Sequence, residues 1–310
     1  RAIVRVQEAG SGLMTMADLA AHHATYEAPR HVEFAGMNVY GSGPWGQGPM
    51  LLETLNILKR FDLKAMGHNS VDYVHTIAEA LKLAAADREN YFGDPRFIDV
   101  PLDELLSQDY ADRRARLIDA GRAAPDMPAP GKLTDRPLPP AWSMDPSSGS
   151  KPATGITVGG QGVPTETSYA GVVDRHGNVF SSTPSDAGVM GPVVPEIGLP
   201  CCTWGSRGYT GRQHPARVGP GAWPRMAANP QIAISTDGNI VMPFGSPGSE
   251  VLGQSQIQAF LNMVLFNMEP QLAVEQPRFA SYSWPGSQIP HRHNPGLLQL
   301  EALIGKETGA

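Results

Sequence analysis

Thr167-Ser168-Tyr169-Ala170-Gly171-Val172-Val173-Asp174-Arg175-His176-Gly177-Asn178-Val179-Phe180-Ser181-Ser182-Thr183 sets two apolar runs on either side of a polar, glycine-containing turn. Residues 167–173 read as a strand, 174–178 as the turn and 179–183 as the returning strand. The same design recurs where Gln231-Ile232-Ala233-Ile234-Ser235 leads through Asp237-Gly238-Asn239 into Ile240-Val241-Met242-Pro243-Phe244. Two such hairpins predict antiparallel sheet, and their contiguous apolar runs predict strands covered on both faces. A helix is expected over about residues 255–268, with Ile257, Leu261, Val264, Leu265 and Met268 forming its apolar face.

Upstream the texture is helical. Thr15 with Asp18 three residues on reads as a capped helix start. Arg30-His31-Val32-Glu33-Phe34 reads as a short strand leading into Gly41-Ser42-Gly43-Pro44-Trp45-Gly46-Gln47-Gly48-Pro49, a loop too rich in Gly and Pro for regular structure. Such a loop either lines a site or crosses a helix end tightly. Helices are expected over 50–59, with Leu51, Leu55 and Leu58 on one side, and over 70–90, with Val71, Val74, Ala78, Leu81 and Ala85 at spacings of three and four. Asp87, Arg88 and Glu89 near the end of the second read as a solvated, salt-bridged terminus. A short segment at 102–106 and a helix over about 109–120 follow. Residues 121–166 are a connector: Pro128, Pro130, Pro137, Pro139, Pro140 and Pro146 exclude continuous helix or central strand. A connection this long is functional, mobile or processed in most compact proteins. Helices in front, then covered hairpins and another amphipathic helix, predict an α+β fold, a layered αββα sandwich.

Composition bounds the function. The 310 residues carry 24 Lys+Arg against 30 Asp+Glu, a net charge of −6, so no basic stripe exists for general nucleic-acid binding. No apolar run is long enough to span a membrane. The opening Arg1-Ala2-Ile3-Val4-Arg5-Val6-Gln7 reads as the middle of a helix rather than an initiator or a signal peptide, so the chain is expected to be part of a longer product. The two cysteines, Cys201 and Cys202, are adjacent and build no disulfide framework, which tilts the expected location towards the cytoplasm. Nothing in the sequence specifies a homo-oligomer, though one is compatible with it.

No metal site or cofactor is expected: His22-His23 and His291-x-His293 lack a spaced third ligand. Phe244-Gly245-Ser246-Pro247-Gly248-Ser249-Glu250 is glycine-rich and precedes a helix but lacks the lysine of a phosphate loop. Such a bend can instead aim two backbone N–H groups at one point, as an oxyanion requires, or it can be a plain turn. Thr167 stands where the connector meets the first strand. Were the bond before it cut, its new α-amino group, with a pKa near neutrality, would serve as base to its own hydroxyl. Uncut, Thr167 is only a strand residue.

These residues resemble the gamma-glutamyltransferase family of self-processing, N-terminal-nucleophile hydrolases. The resemblance runs through Gly12-Leu13-Met14-Thr15-Met16-Ala17-Asp18-Leu19, Leu55-Asn56-Ile57-Leu58, Asp87-Arg88, Gly93-Asp94-Pro95 and Tyr110-Ala111-Asp112-Arg113-Arg114. It continues through Thr167-Ser168, Asp174, Gly177-Asn178, Gly245-Ser246-Pro247-Gly248 and Pro277-Arg278-Phe279. It implies a cut between Glu166 and Thr167, making residues 1–166 the rear of a large subunit and 167–310 a small subunit, together one composite domain. It implies Thr167 as nucleophile, Ser185 orienting its amine, and Gly248 and Ser249 as oxyanion donors. Attack on an amide carbonyl would give an acyl-enzyme ester, resolved by water or an amine. The family's large subunit normally has a front portion, with a substrate-gripping arginine, that is not in this sequence; it is expected as a partner on another chain or in a longer product, unless it was lost, and the resemblance allows a periplasmic or secreted location.

The departures concern the substrate. Ser206 or Arg207, close to Trp204, falls where the family places an acidic residue for the substrate ammonium. Met226 and Ala227, with Arg225 beside them, fall where it places serines for the α-carboxylate, and Asp186 or Ala187 stands in place of a familiar asparagine. An arginine in place of an acid attracts a carboxylate. The expected function is therefore an amidohydrolase or acylase for a small, acidic acyl group. The alternatives are a true gamma-glutamyltransferase or glutathione hydrolase, and an inactive homologue with a binding role.

Overall fold

The computed structural model describes residues 1–139, 167–185, 191–289, 291–305 and 308. Two short helices, α1 (Ala2–Ala9) and α2 (Met16–Ala21), precede a hairpin of β1 (Arg30–Phe34) and β2 (Met37–Gly41). Thr15 closes a capping box with Asp18 at the start of α2. Between β1 and β2, Ala35 (φ 50°) and Gly36 (φ 77°) both adopt left-handed backbone, the turn whose twist suits a two-residue hairpin.

Helices α3 (Gly48–Leu58), α4 (Leu63–Met66), α5 (Val71–Tyr91), α6 (Leu102–Leu105) and α7 (Gln108–Ala115) follow. Every residue of α3 is buried, because the helix lies between the β1–β2 hairpin and helices α5 and α7. Leu52, Leu55, Ile57 and Leu58 share one core with Ile77, Ala80, Leu81 and Ala84 of α5, whose small side chains permit close approach. Ser70 begins α5 by accepting the Tyr73 N–H on its hydroxyl.

After the connector come β3 (Ala170–Val173), β4 (Val179–Ser182), β5 (Val193–Val194), β6 (Leu199–Pro200), β7 (Gln231–Ser235) and β8 (Val241–Phe244). Helices α8 (Leu252–Phe266) and α9 (Pro270–Glu275) and strands β9 (Phe279–Ser281) and β10 (Leu298–Leu300) end the order. The main sheet runs β1-β2-β7-β8, antiparallel throughout, with Val39 opposite Ala233 and Ala233 opposite Met242. Residues from before and after position 166 thus share one sheet and one core. The architecture is α+β, with sheets flanked by helices.

Several expectations change. β7 alternates buried and half-buried residues, so one face meets the helices and the other is only partly covered. The β3–β4 hairpin, expected to be covered on both faces, leaves Val172, Val173 and Phe180 more than half exposed. Its strands bond to each other, and the edge strand β8 packs against both. The last helix of the front half stops at Ala115 rather than 120, because Leu117 and Ile118 turn back onto the Arg114 and Ala115 carbonyls. β2 was not expected at all. The largest correction concerns Asp87, Arg88 and Glu89, which are fully buried rather than solvated.

The described part of the connector, residues 121–139, has no helix or strand but is anchored. The Gly131 N–H donates to Asp87 and its carbonyl accepts from the Tyr91 hydroxyl, while Leu133 enters the core. A Cβ at Gly131 would collide with the Tyr110 hydroxyl, so the close approach requires glycine.

Candidate active site

The β3–β4 hairpin extends its pairing past the named strands. The Ser168 N–H donates to the Pro184 carbonyl at 2.9 Å, which brings the head of β3 beside the end of β4. There the Thr167 and Ser185 hydroxyls lie 2.8 Å apart. Both are partly accessible, so a reacting group can approach. Glu166 and Asp186, the other two residues expected here, lie outside the described residues.

Two residues further on, the Tyr169 ring packs against Gly245, where a Cβ would overlap it. The Tyr169 hydroxyl bonds the Ser181 hydroxyl at 3.0 Å, and that hydroxyl reaches the Phe244 carbonyl. Tyr169 therefore fixes the distance between the head of β3 and the bend that leaves β8, a role the sequence did not suggest. In that bend Gly248 has φ 123°, a conformation L side chains rarely adopt. The Val251 N–H closes onto the Gly248 carbonyl, residues Ser249–Val251 form a 3-10 turn, and α8 begins at Leu252. A strand, a glycine bend and a helix start thus follow one another from Gly245, on which Tyr169 of the hairpin packs, and the backbone N–H groups of such a bend are able to receive an oxyanion.

Behind the bend lies a buried charge cluster. Glu250 accepts from Arg88 on one carboxylate oxygen, at 3.3 and 3.4 Å, and from the Ser287 N–H on the other, at 2.5 Å. Glu89 accepts from Arg88 (2.8 Å), Arg225 (2.5 Å) and the Tyr209 hydroxyl (2.7 Å). Burial alone would raise both carboxyls, but the neighbouring guanidiniums outweigh it: Arg225 and Arg88 hold Glu89 well below the usual range, and Arg88 and Arg225 hold Glu250 below it. Tyr209 is sandwiched between His214 and His291, ring centroids 3.5 and 3.8 Å away. Burial pulls His214 down to about 4, so it is neutral beside Glu89 at pH 7. Of the two histidine pairs read as poor metal ligands, the second has other partners, His291 stacking on Tyr209 and His293 pairing with Asp126.

The expected substrate-binding residues fall in two places. Trp204, Ser206 and Arg207 share one 3-10 turn, with the Arg207 guanidinium 4.4 Å over the Trp204 ring. Arg207 is 4% exposed, yet its Nε and Nη1 have no partner among the described residues, nor do Trp204 Nε1 and Ser206 Oγ. Burial lowers the Arg207 pKa, with Glu250 and Cys202 acting against that and Arg225 and Arg88 reinforcing it, which puts the turn within electrostatic reach of the glycine bend. Arg225, by contrast, is occupied by Glu89 and Tyr209, and the Met226 N–H is tied to the Trp45 carbonyl. That bond, with Trp223 packed on Trp45 at 5.0 Å, makes the 41–49 loop a packed crossing against residues 223–231. Arg88, Glu89, Glu250 and Tyr209 were missed; the available signal was a charge trio ending an alanine-rich helix that runs into Tyr91 and Phe92.

The comparisons with known proteins place the chain in the N-terminal-nucleophile hydrolase superfamily. Within it the chain belongs to the gamma-glutamyltranspeptidase family, whose profile matches residues 1–308. It is 30% identical over 310 residues to the acylase ACY 1 proenzyme of Pseudomonas sp. strain SE83, covering 98% of this chain and 48% of that one. It is 30% identical over 311 residues to the glutathione hydrolase proenzyme of Escherichia coli K12, covering 99% and 51%. The cephalosporin acylase structure from Bacillus halodurans superposes with a TM-score of 0.77 at 25% identity, covering 99% of this chain and 48% of that one. The chain thus spans about half the length of the curated relatives it matches. No helix among the described residues is long and apolar enough to cross a membrane.

Proposed function

We propose that this chain carries the catalytic centre of an amidohydrolase or acylase that acts after a cut between Glu166 and Thr167. The observation that carries the reading is the Thr167–Ser185 hydroxyl pair, 2.8 Å apart at the head of β3. Once freed, the Thr167 α-amino group accepts the proton from Oγ1, which attacks the amide carbonyl carbon. The carbonyl oxygen becomes an oxyanion received by the backbone N–H groups of Gly248 and Ser249. The C–N bond breaks, the proton passes to the leaving amine, and an ester on Thr167 remains. Water or a second amine then attacks the ester and restores the hydroxyl. Ser185 holds Oγ1 and the amine in register.

The acyl group is small and acidic in this reading. Arg207, with two unpaired N–H groups, supplies a charged fork for its carboxylate, and Ser206 and Trp204 add polar groups beside it. A gamma-glutamyl substrate would bring an ammonium, which needs a free carboxylate. The oxygens of Glu89 and Glu250 are already taken by guanidiniums, a hydroxyl and a backbone N–H. The relatives' names support acylase chemistry on this scaffold.

The test uses the complete protein. A denaturing gel with N-terminal sequencing should show a fragment beginning at Thr167, and Thr167→Ala should abolish both the cut and acyl-enzyme formation. A panel of dicarboxylic monoamides and gamma-glutamyl anilide then reads the acyl preference. Activity retained in Thr167→Ala sinks the nucleophile, an uncut wild type with no acylation favours the inactive homologue, and preference for gamma-glutamyl anilide removes the acidic-acyl reading.

A further inference from the structure

The buried charge cluster is not a stray ion pair: it grips the oxyanion bend at one residue. Glu250 follows Ser249 directly, and each of its three oxygens is tied to a different part of the molecule. One carboxylate oxygen meets both terminal nitrogens of Arg88, at the end of α5. The other takes the Ser287 N–H. The backbone carbonyl takes the Gln254 side-chain amide, which also brackets Ser281 through Nε2 to its carbonyl and Oε1 from its N–H. Arg88 is itself fixed, with no exposed surface, by Glu89 and the Pro285 carbonyl.

The bend needs such ties. Residues 245–248 belong to no strand or helix, and Gly248 holds a backbone conformation with a wide range of alternatives. Donors to an oxyanion work only when held still, because a group that must reorganise during the reaction loses most of its value. Glu250 also presents an electrostatic problem. A bare carboxylate next to the oxyanion site would repel the charge that develops there, and Arg88 cancels it.

We propose that Glu250, clamped by Arg88, is a positioning residue for the Gly248 and Ser249 donors, so that a residue before the cut tunes catalysis by residues after it. The inference rests on the reading of that bend as the oxyanion site. Neither side chain touches substrate; both act through the backbone of the bend.

The experiment compares wild type, Glu250→Gln and Glu79→Gln in the complete, matured protein, with active sites counted by an acylating probe. In Glu250→Gln one amide N–H must face either Arg88 or the Ser287 N–H, so one clamp opens. Glu79→Gln weakens another buried pair, with Lys82, far from the bend in sequence and sharing none of its partners. The expected result is kcat lowered by about tenfold or more in Glu250→Gln, since loss of a whole oxyanion donor costs about 100- to 1,000-fold. KM stays within about twofold, and Glu79→Gln keeps wild-type kcat. Unchanged kcat in Glu250→Gln, or an equal loss in Glu79→Gln, overturns the proposal, as does a change confined to KM. Should Glu250→Gln fail to mature, Glu250→Asp, which keeps the charge but shortens the reach, is measured against the same criteria. Thr167→Ala run in parallel separates the two ideas: if it is inactive while Glu250→Gln is normal, only the positioning role falls.

Discussion

His214 should make the folded protein lose stability between pH 6.5 and 4.5, and replacing it should flatten that loss. Its Nδ1 accepts the Ala216 N–H, so the ring proton sits on Nε2, facing Glu89 at 3.4 Å. Burial pulls its pKa to about 4, the attraction of Glu89 notwithstanding. In the unfolded chain a histidine titrates near 6.5. Over the interval between, the unfolded state binds a proton the folded state refuses, so stability falls as the pH falls. At roughly 1.36 kcal/mol per pH unit, the two units from 6.5 to 4.5 amount to about 2–3 kcal/mol from this one side chain. Glu89 stays out of that window: its folded pKa is depressed, so its contribution is complete above its unfolded value near 4.5 and is lost only below it. His291 and His68 are depressed as well and add to the wild-type slope, but they cancel in a comparison with His214→Gln. The assay is urea unfolding of the matured protein at about pH 7.5 and 4.5. Wild type should lose about 2–3 kcal/mol more than His214→Gln between them. Equal losses in the two proteins would refute the reasoning, because they would mean that His214 is as protonated in the folded state as in the unfolded one.

Gly245→Ala forces the Tyr169 ring off the bend; it should cost about 1–3 kcal/mol in urea unfolding and lower kcat, because the head of β3 moves with the ring. Arg225→Met leaves Glu89 buried with fewer partners and should cost about 3–5 kcal/mol, read as a lowered urea midpoint at neutral pH. Leu55→Ala, at the fully buried centre of α3, should cost about 2–5 kcal/mol while leaving KM unchanged.

How far the sequence could be read depended on whether a signal was local. The hairpin turns at Gly177 and Gly238, the capped start at Thr15 and the long helix after Ser70 depend on neighbours a few residues away, and each appears within a residue or two of its expected place. Strand β2 went unseen although Met37-Asn38-Val39-Tyr40 alternates as a half-buried strand does, because the stretch is short, runs straight into the Gly/Pro-rich loop, and has its β7 partners far away in sequence. Within this chain Val172, Val173 and Phe180 stay exposed, since an apolar run says that a face can be buried, not what buries it. At the candidate site, position singled out Thr167 and the glycine bend, each with a plain structural alternative, and only the family resemblance pointed to Ser185, which the structure brings 2.8 Å from Thr167. The charge cluster was not: Arg88 is an ordinary helix-end arginine until Glu250, many residues later, is folded against it. Arg207 stood out as a substitution, but its burial and unpaired nitrogens are tertiary facts.

The pairing of β2 with β7 bears on how the protein acquires its structure. In an uncut chain that ladder closes a loop of roughly 200 residues, and the entropy of closing so long a loop makes the central sheet a late event in folding. While the chain is continuous, the two strands search for each other at the effective concentration a tether provides. A cut at residue 166 removes the tether, and reassembly after denaturation becomes a second-order encounter of two fragments. If the chain is cut after Glu166 as proposed, this topology favours forming the sheet before the chain is severed. A matured sample unfolded in urea should regain its structure at a rate that rises with protein concentration, whereas the uncut Thr167→Ala chain should refold at a rate independent of it.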